Sequence, residues 1–278
     1  MFKQRINLGE FNSDVSASCY HPRRVAAECQ KGRKVVKKKL SIRIGCCGFR
    51  SSRETYFRLL DAVEIQHTFY QPPQVSTLKK WRAEAPEGFE FTLKAWQLIT
   101  HQSSSPTYRR VKRQLTEEEK EGAGSFRPTA AVAAGWELTR ECAAALEARA
   151  VLFQCPASFQ PTRENVANLR KFFKRARRDR LSFCWEPRGG WPRETVKSLC
   201  EELDLWHVVD PFVERTTTPG RCYFRLHGRR GWRYKYEDGE LEELCSMLPK
   251  GEPSYVFFNN VEMRDDAARF KEMVESAS

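Results

Sequence analysis

The sequence predicts an α/β protein that folds as a (β/α)8 TIM barrel. Eight short apolar segments follow one another from Ser41 onward, and helix-like segments separate most of them. Few of the apolar segments alternate strictly with polar residues, which is typical of strands covered on both faces. Strands that alternate with helices indicate parallel βα units, and eight units in about 240 residues fit this barrel. An open doubly wound sheet is the alternative, but no GxGxxG turn follows the first segment.

The elements alternate in chain order. The strand candidates are SIRIGCCG, DAVEIQHTFY, GFEFTLKA, ARAVLFQCP, LSFCWEPRGG, LWHVVDPF, RCYFRLHG and SYVFFNN. Helices are predicted at residues 74–85, 129–148, 162–180, 191–203, 239–247 and 263–274. Apolar residues at helical spacing support them, and Thr162 is a candidate N-cap.

Two connections depart from the regular pattern. More than about fifty residues separate the third and fourth strands, which is long for an ordinary connection and predicts a lid or a binding loop. Between the sixth and seventh strands, PFVERTTTPG is short and contains two prolines, so no crossover helix is expected there. The barrel is therefore predicted to be irregular between strands 6 and 7.

Charge divides the chain into two predicted parts. Residues 1–40 carry ten Lys/Arg and three Asp/Glu, a net of +7 out of the +12 of the whole chain. We expect residues 1–40 to be a poorly ordered basic extension and residues 41–278 to be the barrel domain. The densest run, KGRKVVKKKL at residues 31–40, is either a solvated arm or a contact for nucleic-acid phosphates.

Cysteine usage and hydropathy predict a cytoplasmic protein. None of the ten cysteines forms a CxxC pair, and Cys155, Cys184 and Cys222 lie in apolar strand-like runs where thiols act as small hydrophobes. No apolar run approaches the roughly 18 residues of a membrane span, and the first twenty residues lack an apolar signal core. We therefore expect reduced thiols and no membrane partner; oligomeric state is left open.

Nearly every predicted strand ends in polar side chains although its middle is apolar. In a TIM barrel the carboxyl ends of the strands build the active site, and buried charges are rare unless they are paired or functional. We therefore expect these side chains to meet at one site. The candidate catalytic residues are Glu64, Lys94, Glu186, Asp210 and His227. The candidate substrate-binding residues are Tyr70, Trp96, His101, Gln154, Arg188, Arg225, Tyr234, Asn259 and Asn260.

Residue type indicates the chemistry that such a set supports. Carboxylates and histidine accept protons or bind a divalent cation such as Mg²⁺ or Mn²⁺. The candidate metal ligands are Glu64, Glu186, Asp210 and His227. Arginine binds phosphate or carboxylate by paired hydrogen bonds, and aromatic side chains stack on rings. The site is therefore expected to bind an anionic, ring-bearing substrate; spacing alone does not decide whether a metal binds.

Several segments resemble the DUF72 or YecE-like family, in the family's order. They include VEIQHTFYQPP, FTLKAWQLITH, LFQCPASFQPT, WEPRGGW, VVDPF, YFRLHG and FNN, and KAWQLITHQSSSPTYRR resembles the archaeal branch. The resemblance covers residues 41–274 and implies a TIM barrel. Carried over by position, it implies recurrent polar residues at Glu64, Thr68, Tyr70, Lys94, His101, Gln154, Glu186, Arg188, Asp210, Arg225, His227, Gly228, Asn259 and Asn260.

Three functions remain open from the sequence. The first is a nuclease-like enzyme that acts on phosphodiesters of nucleic acid, with or without a metal. The second is a sugar isomerase or epimerase in which Glu186 and Asp210 move protons and Lys94 polarises a carbonyl. The third is a non-catalytic protein that binds nucleic acid or an anionic metabolite.

Overall fold

The computed structural model describes residues 42–249 and 253–277. The eight strands are β1 (Ile42–Cys46), β2 (Ala62–Ile65), β3 (Glu90–Lys94), β4 (Ala150–Gln154), β5 (Ser182–Glu186), β6 (Leu205–Val209), β7 (Cys222–Leu226) and β8 (Ser254–Phe258). The helices are α1 (Arg53–Leu59), α2 (His67–Tyr70), α3 (Val75–Glu84), α4 (Gln97–Thr100), α5 (Glu117–Gly122), α6 (Ala130–Leu146), α7 (Arg163–Arg175), α8 (Arg193–Leu203), α9 (Asp238–Ser246) and α10 (Met263–Ser276).

All eight strands are parallel, and β1 pairs with β8 so that the sheet closes into a barrel in chain order. The predicted TIM barrel is therefore confirmed. The closure is tight at Gly45, where a Cβ atom would lie 1.9 Å from the carbonyl oxygen of Ala62 on the neighbouring strand. Only glycine fits at this position of β1.

Alternation along the strands divides the side chains between the barrel interior and the surrounding helices. The interior packs small and aromatic side chains: Ala62, Ala150, Leu152, Cys184, Trp206, Val208, Tyr223, Tyr255 and Phe257. The opposite faces meet the helices, for example where Phe153 and Phe183 contact Trp136 of α6 and Phe173 of α7. Towards the carboxyl end of most strands, the interior positions are polar. These polar side chains therefore lie at the carboxyl end of the barrel, which is called the mouth below.

The two irregular connections differ in structure. The connection from β3 to β4 holds α4, a 3₁₀ turn (Pro106–Arg110), α5 and α6, and its apolar residues form a cluster that includes Trp96, Leu98 and Leu115. It is a packed subdomain and not a structureless loop. Between β6 and β7 there is no helix, and the chain turns at Asp210, whose Oδ1 accepts the Phe212 N–H at 3.1 Å. The predicted irregularity at this point is confirmed.

The predicted helix bounds are close to those observed, and the short helices were not predicted. The third predicted helix ends at Arg175 and not Arg180, because Ala176 already has extended backbone angles. The predicted basic extension, residues 1–40, lies outside the described residues. Within the described ranges, the cysteines are free thiols, and no helix there has the length and apolar content to cross a membrane.

Candidate active site at the barrel mouth

Arg225 lies at the centre of the site and joins two carboxylates across the barrel interior. Its Nη2 lies 3.0 Å from Glu64 Oε1 on β2, and its Nε lies 3.2 Å from both oxygens of that carboxylate. Its Nη1 donates to Glu186 Oε2 on β5 at 2.7 Å. All three side chains are buried. Because buried charges are stable only when paired, each of the three ions depends on the others.

Glu64 accepts hydrogen bonds from further side chains as well. Tyr223 Oη donates to Oε2 at 2.6 Å, and Cys47 Sγ lies 3.2 Å from Oε1. Gln66 Nε2 also donates to Oε1. With Arg225 added, these donors occupy both oxygens of the carboxylate. Glu64 therefore orients its neighbours and has little acceptor capacity left for a substrate proton.

Lys94 lies at the end of β3, and among the described residues no carboxylate lies in direct contact with its ammonium group. Nζ lies 3.5 Å from the centre of the Phe69 ring and donates to the amide oxygen of Gln154. The Thr68 hydroxyl donates to the Lys94 carbonyl at 2.7 Å, which fixes the backbone. Burial, and then the nearby guanidinium of Arg225, lower the pKa of Lys94 to about 7. Both the ammonium and the free amine are therefore populated near neutral pH.

Gln154 connects Lys94 to Glu186. Its Nε2 donates to Glu186 Oε1 at 3.0 Å, which leaves the amide oxygen facing Lys94. Arg188 Nε donates to the same Glu186 oxygen at 2.7 Å. Burial raises the pKa of the Glu186 carboxyl, but Arg225, Arg188 and His227 together lower it to about 2. Glu186 is a fixed negative charge at neutral pH.

The hydrogen bonds of His227 define its tautomer. Its Nε2 lies 2.9 Å from Arg188 Nη2 and 3.4 Å from Arg225 Nη1. Guanidinium groups only donate, so Nε2 accepts and the ring proton lies on Nδ1. Nδ1 is 3.7 Å from Asp210 Oδ2, and the backbone N–H of His227 donates to that same oxygen at 2.9 Å. Asp210 therefore orients His227.

One network thus contains predicted residues from six consecutive strands, β2 to β7, or the loops directly after them. Its members are Glu64, Lys94, Gln154, Glu186, Arg188, Asp210, Arg225 and His227. His101 lies beside it: its ring packs edge-on against Phe69 at 4.9 Å. Burial and the Lys94 charge lower the pKa of His101 to about 3, so His101 is neutral near the site.

The structure does not bring the remaining predicted residues into this network. Trp96 is buried in the cluster of the β3–β4 connection. The hydroxyl of Tyr234 donates to Glu240 Oε1 at 2.6 Å, and Asn260 Nδ2 donates to Asp266 Oδ2 at 2.6 Å. Tyr70 and Asn259 are half-buried at the rim; the Arg110 guanidinium lies 4.6 Å from the Tyr70 ring centre, and the Asn259 backbone N–H bonds to Leu226.

The donor set does not fit a metal centre. Among the described residues, no group of three or more His, Cys, Asp or Glu side chains is arranged to hold a metal ion. The physical reason is Arg225, whose guanidinium lies between Glu64 and Glu186 and neutralises both. Arg188 and Arg225 likewise donate to the free nitrogen of His227. The predicted ligands are thus together at the mouth, but arginine side chains occupy the space between them.

Sequence reasoning missed several residues that shape the site. Tyr223 and Thr92, whose hydroxyl oxygens are 2.9 Å apart, lie two positions before Arg225 and Lys94 on the same strand faces. Strand alternation could have placed them inside the barrel below the polar residues. Phe69 and Cys47 carry no comparable signal, because their roles depend on how separate strands meet.

Comparison with known proteins agrees with this architecture. The family model "Protein of unknown function DUF72" matches residues 47–278. The UPF0759 protein YunF of Bacillus subtilis (strain 168) is 25% identical over 261 residues, covering 80% of this chain and 85% of that protein. A crystal structure of a DUF72 family protein from Enterococcus faecalis V583 has 24% identity and a TM-score of 0.66, covering 85% of this chain and 98% of that one.

A more distant likeness concerns the fold alone. D-psicose 3-epimerase from Clostridium cellulolyticum H10 aligns with a TM-score of 0.54 at 10% identity, covering 84% of this chain and 98% of that one. The archaeal assignment stays a prediction. The family model spans most of the chain and includes every residue of the network, and the chain belongs to the DUF72 family.

Proposed function

We propose that this protein is an enzyme that moves a proton on a small anionic substrate, with chemistry of the sugar isomerase or epimerase kind. The observation that carries the proposal is Lys94, a buried amine with a pKa of about 7 held inside a network of fixed charges. A general acid or base works best when its pKa lies near the working pH. Among the network residues whose pKa is shifted, Lys94 is the group poised to exchange protons at neutral pH.

This assigns the roles differently from the sequence-based prediction. Glu186 has a pKa of about 2 and contacts two guanidinium groups, so it holds charge and does not shuttle protons. Asp210 orients His227. The side chain of Arg188 is 44% exposed, which makes it the group available to bind the anion. In this scheme Lys94 removes or returns the proton, and Arg188 binds the carboxylate or phosphate of the substrate. We also place the protein in the cytoplasm, in keeping with its free thiols.

Solvent deuterium incorporation tests the proposal. Wild-type protein in D₂O is expected to introduce deuterium at a carbon next to the carbonyl of at least one ketose, aldose or sugar phosphate in a broad panel, followed by NMR and mass spectrometry. Lys94→Met should slow incorporation by about 10²–10⁴-fold. Lys79→Met, which removes an exposed lysine of α3, is the matched control and should leave it unchanged. Lack of incorporation by the wild type across the panel, or equal incorporation by Lys94→Met, would contradict the proposal.

A phosphodiester-acting enzyme on nucleic acid is the second candidate. It is favoured by the basic residues after β3 and β7, which flank the network at the mouth. Labelled single- and double-stranded DNA and RNA should then be cleaved in an assay with Mg²⁺, Mn²⁺ or EDTA, and the Glu186→Ala/His227→Ala variant should be inactive. Because the donor set does not fit a metal, we expect the EDTA arm to retain activity. Equal cleavage by wild type and variant would point to a contaminating nuclease and remove this candidate.

A further inference from the structure

Two basic segments lie at the barrel mouth outside the network. The β3-side segment, residues 106–113, reads PTYRRVKR, and the β7-side segment, residues 228–235, reads GRRGWRYK. Each contains four basic and no acidic residues. In the closed order of eight strands, β3 and β7 are four strands apart, so the two segments follow opposite strands of the barrel. The network lies between them.

The β7-side segment is a tight turn with defined contacts. Gly228 has a φ of +85°, and a Cβ there would lie 2.3 Å from the Gly231 carbonyl oxygen. The guanidinium of Arg229 is held by Glu240 and Glu243, both at 3.1 Å. These contacts fix the turn and leave its outer residues, Arg230 to Arg233, exposed.

Trp232 is the most unusual residue of this turn, because 60% of its surface is exposed. Its carbonyl accepts the Val261 N–H at 2.7 Å, which ties the turn to the loop after β8. The Arg233 guanidinium lies 5.0 Å from the indole centre, on one face of the ring. The exposed part of the indole is accessible to a ligand. An exposed tryptophan held in a defined position beside arginines is a platform for a flat, anionic ligand.

The β3-side segment is fixed to the loop after β2. The backbone N–H groups of Lys112 and Arg113 donate to the Gln71 side-chain oxygen at 3.2 and 3.4 Å. Arg109 and Lys112 are exposed, and within residues 42–249 and 253–277 neither forms an ion pair with an acidic side chain. Their charges are therefore free to attract an anion.

We propose that a single-stranded nucleic acid binds across the barrel mouth, with its phosphates on the two basic segments and a base stacked on Trp232. Positive charge on both sides of the mouth matches a ligand whose negative charges are spread along its length. An exposed indole stacks on unpaired bases, whose faces a duplex conceals. The exposed apolar side chains near the mouth, Val213, Trp232 and Val261, are single residues from three loops and not the continuous apolar face of a membrane-binding helix. The proposal concerns binding and does not depend on proton transfer by Lys94.

Fluorescence polarisation with a labelled 12-nucleotide single strand, the matching duplex and vesicles of phosphatidylserine and phosphatidylcholine tests this proposal on the full chain. The wild type should bind the single strand more tightly than the duplex. Trp232→Ala should weaken single-strand binding by about tenfold. Arg230→Glu/Arg233→Glu should weaken it by at least tenfold and lower the slope of log Kd against log salt by about 1.4. On the opposite side, Arg109→Glu/Lys112→Glu should also weaken binding.

The matched control is Lys171→Glu/Arg175→Glu on α7, which makes the same change in net charge at exposed residues without ion pairs to described acidic side chains. Residues 1–41 are identical in all variants, so differences among the variants report on the mouth. The proposal is overturned if the α7 variant loses as much affinity as the Arg230/Arg233 variant, if the duplex binds as tightly as the single strand, or if only vesicles bind. A deuterium-exchange result for Lys94→Met bears on the proposed reaction and leaves this test unaffected.

Discussion

Replacement of Arg225 by methionine is expected to lower the free energy of unfolding by about 3–5 kcal/mol, since it leaves buried carboxylates without their counter-charge. Glu64 and Glu186 are 0% and 6% exposed and both contact this guanidinium. Arg188 still contacts Glu186, but no other guanidinium among the described residues contacts Glu64. Urea unfolding followed by circular dichroism measures the change.

The acid side of the pH profile gives a second readout. In the wild type the Glu186 pKa of about 2 lies below its ordinary 4.5, so this carboxyl stabilises the fold above pH 4.5 and loses that contribution as pH falls towards 2. The difference between wild type and Arg225→Met should therefore shrink as the pH is lowered.

A double variant separates loss of charge pairing from loss of packing. Arg225→Met/Glu64→Gln removes one of the stranded charges, and it should be more stable than Arg225→Met alone. If Arg225→Met unfolds at the wild-type urea concentration, or if the double variant is the less stable of the two, the central role of this ion cluster is wrong.

Replacement of Lys94 by methionine is expected to reduce the proposed proton transfer by about 10²–10⁴-fold, the usual contribution of a general acid or base. The same change should stabilise the fold below pH 7. The folded protein holds Lys94 at a pKa of about 7 against an ordinary 10.5, so protonating it costs the folded state about 5 kcal/mol relative to the unfolded chain. Loss of the hydrogen bond to Gln154 offsets about 1–2 kcal/mol of that gain.

The stability gain of Lys94→Met over the wild type should depend on pH. Between about pH 7 and 10.5 the unfolded chain binds a proton at Lys94 that the folded protein does not, so wild-type stability rises with pH over this range. Lys94→Met lacks that rise, and its advantage should disappear by pH 10.5. Lys79→Met should follow the wild type throughout. A Lys94→Met protein that is less stable than wild type at pH 6 would show that the folded state does not lower the pKa of Lys94.

Much of the fold could be predicted because each strand carries its own local signal. Short apolar runs separated by amphipathic segments gave eight strands in the correct order, and PFVERTTTPG indicated the missing crossover helix. The polar residues of the network were also predictable. Burying a charged side chain at the end of an apolar strand is costly unless it is paired, so these side chains were expected to contact one another. The short helices α1, α2, α4 and α5 were not predicted, since four to seven residues carry too little periodicity.

Partner choice within the site could not be predicted. Arg225 was expected to bind an anionic substrate, but it binds Glu64 and Glu186, because strand alternation specifies a face and not which neighbour lies across the barrel. Trp96 and Tyr234 were expected to contact substrate because they follow predicted strands. In the structure Trp96 packs in the cluster of the β3–β4 connection, and Tyr234 donates a hydrogen bond to Glu240 of α9.

The Arg225 contacts also bear on how the chain folds. They join positions 161 and 39 residues apart, so they form only after strands from distant parts of the chain have come together. Until then, Glu64 and Glu186 are hydrated side chains without their common partner. We therefore expect the site to assemble late, as the barrel closes, and we expect substitutions at Arg225 to speed unfolding more than they slow folding.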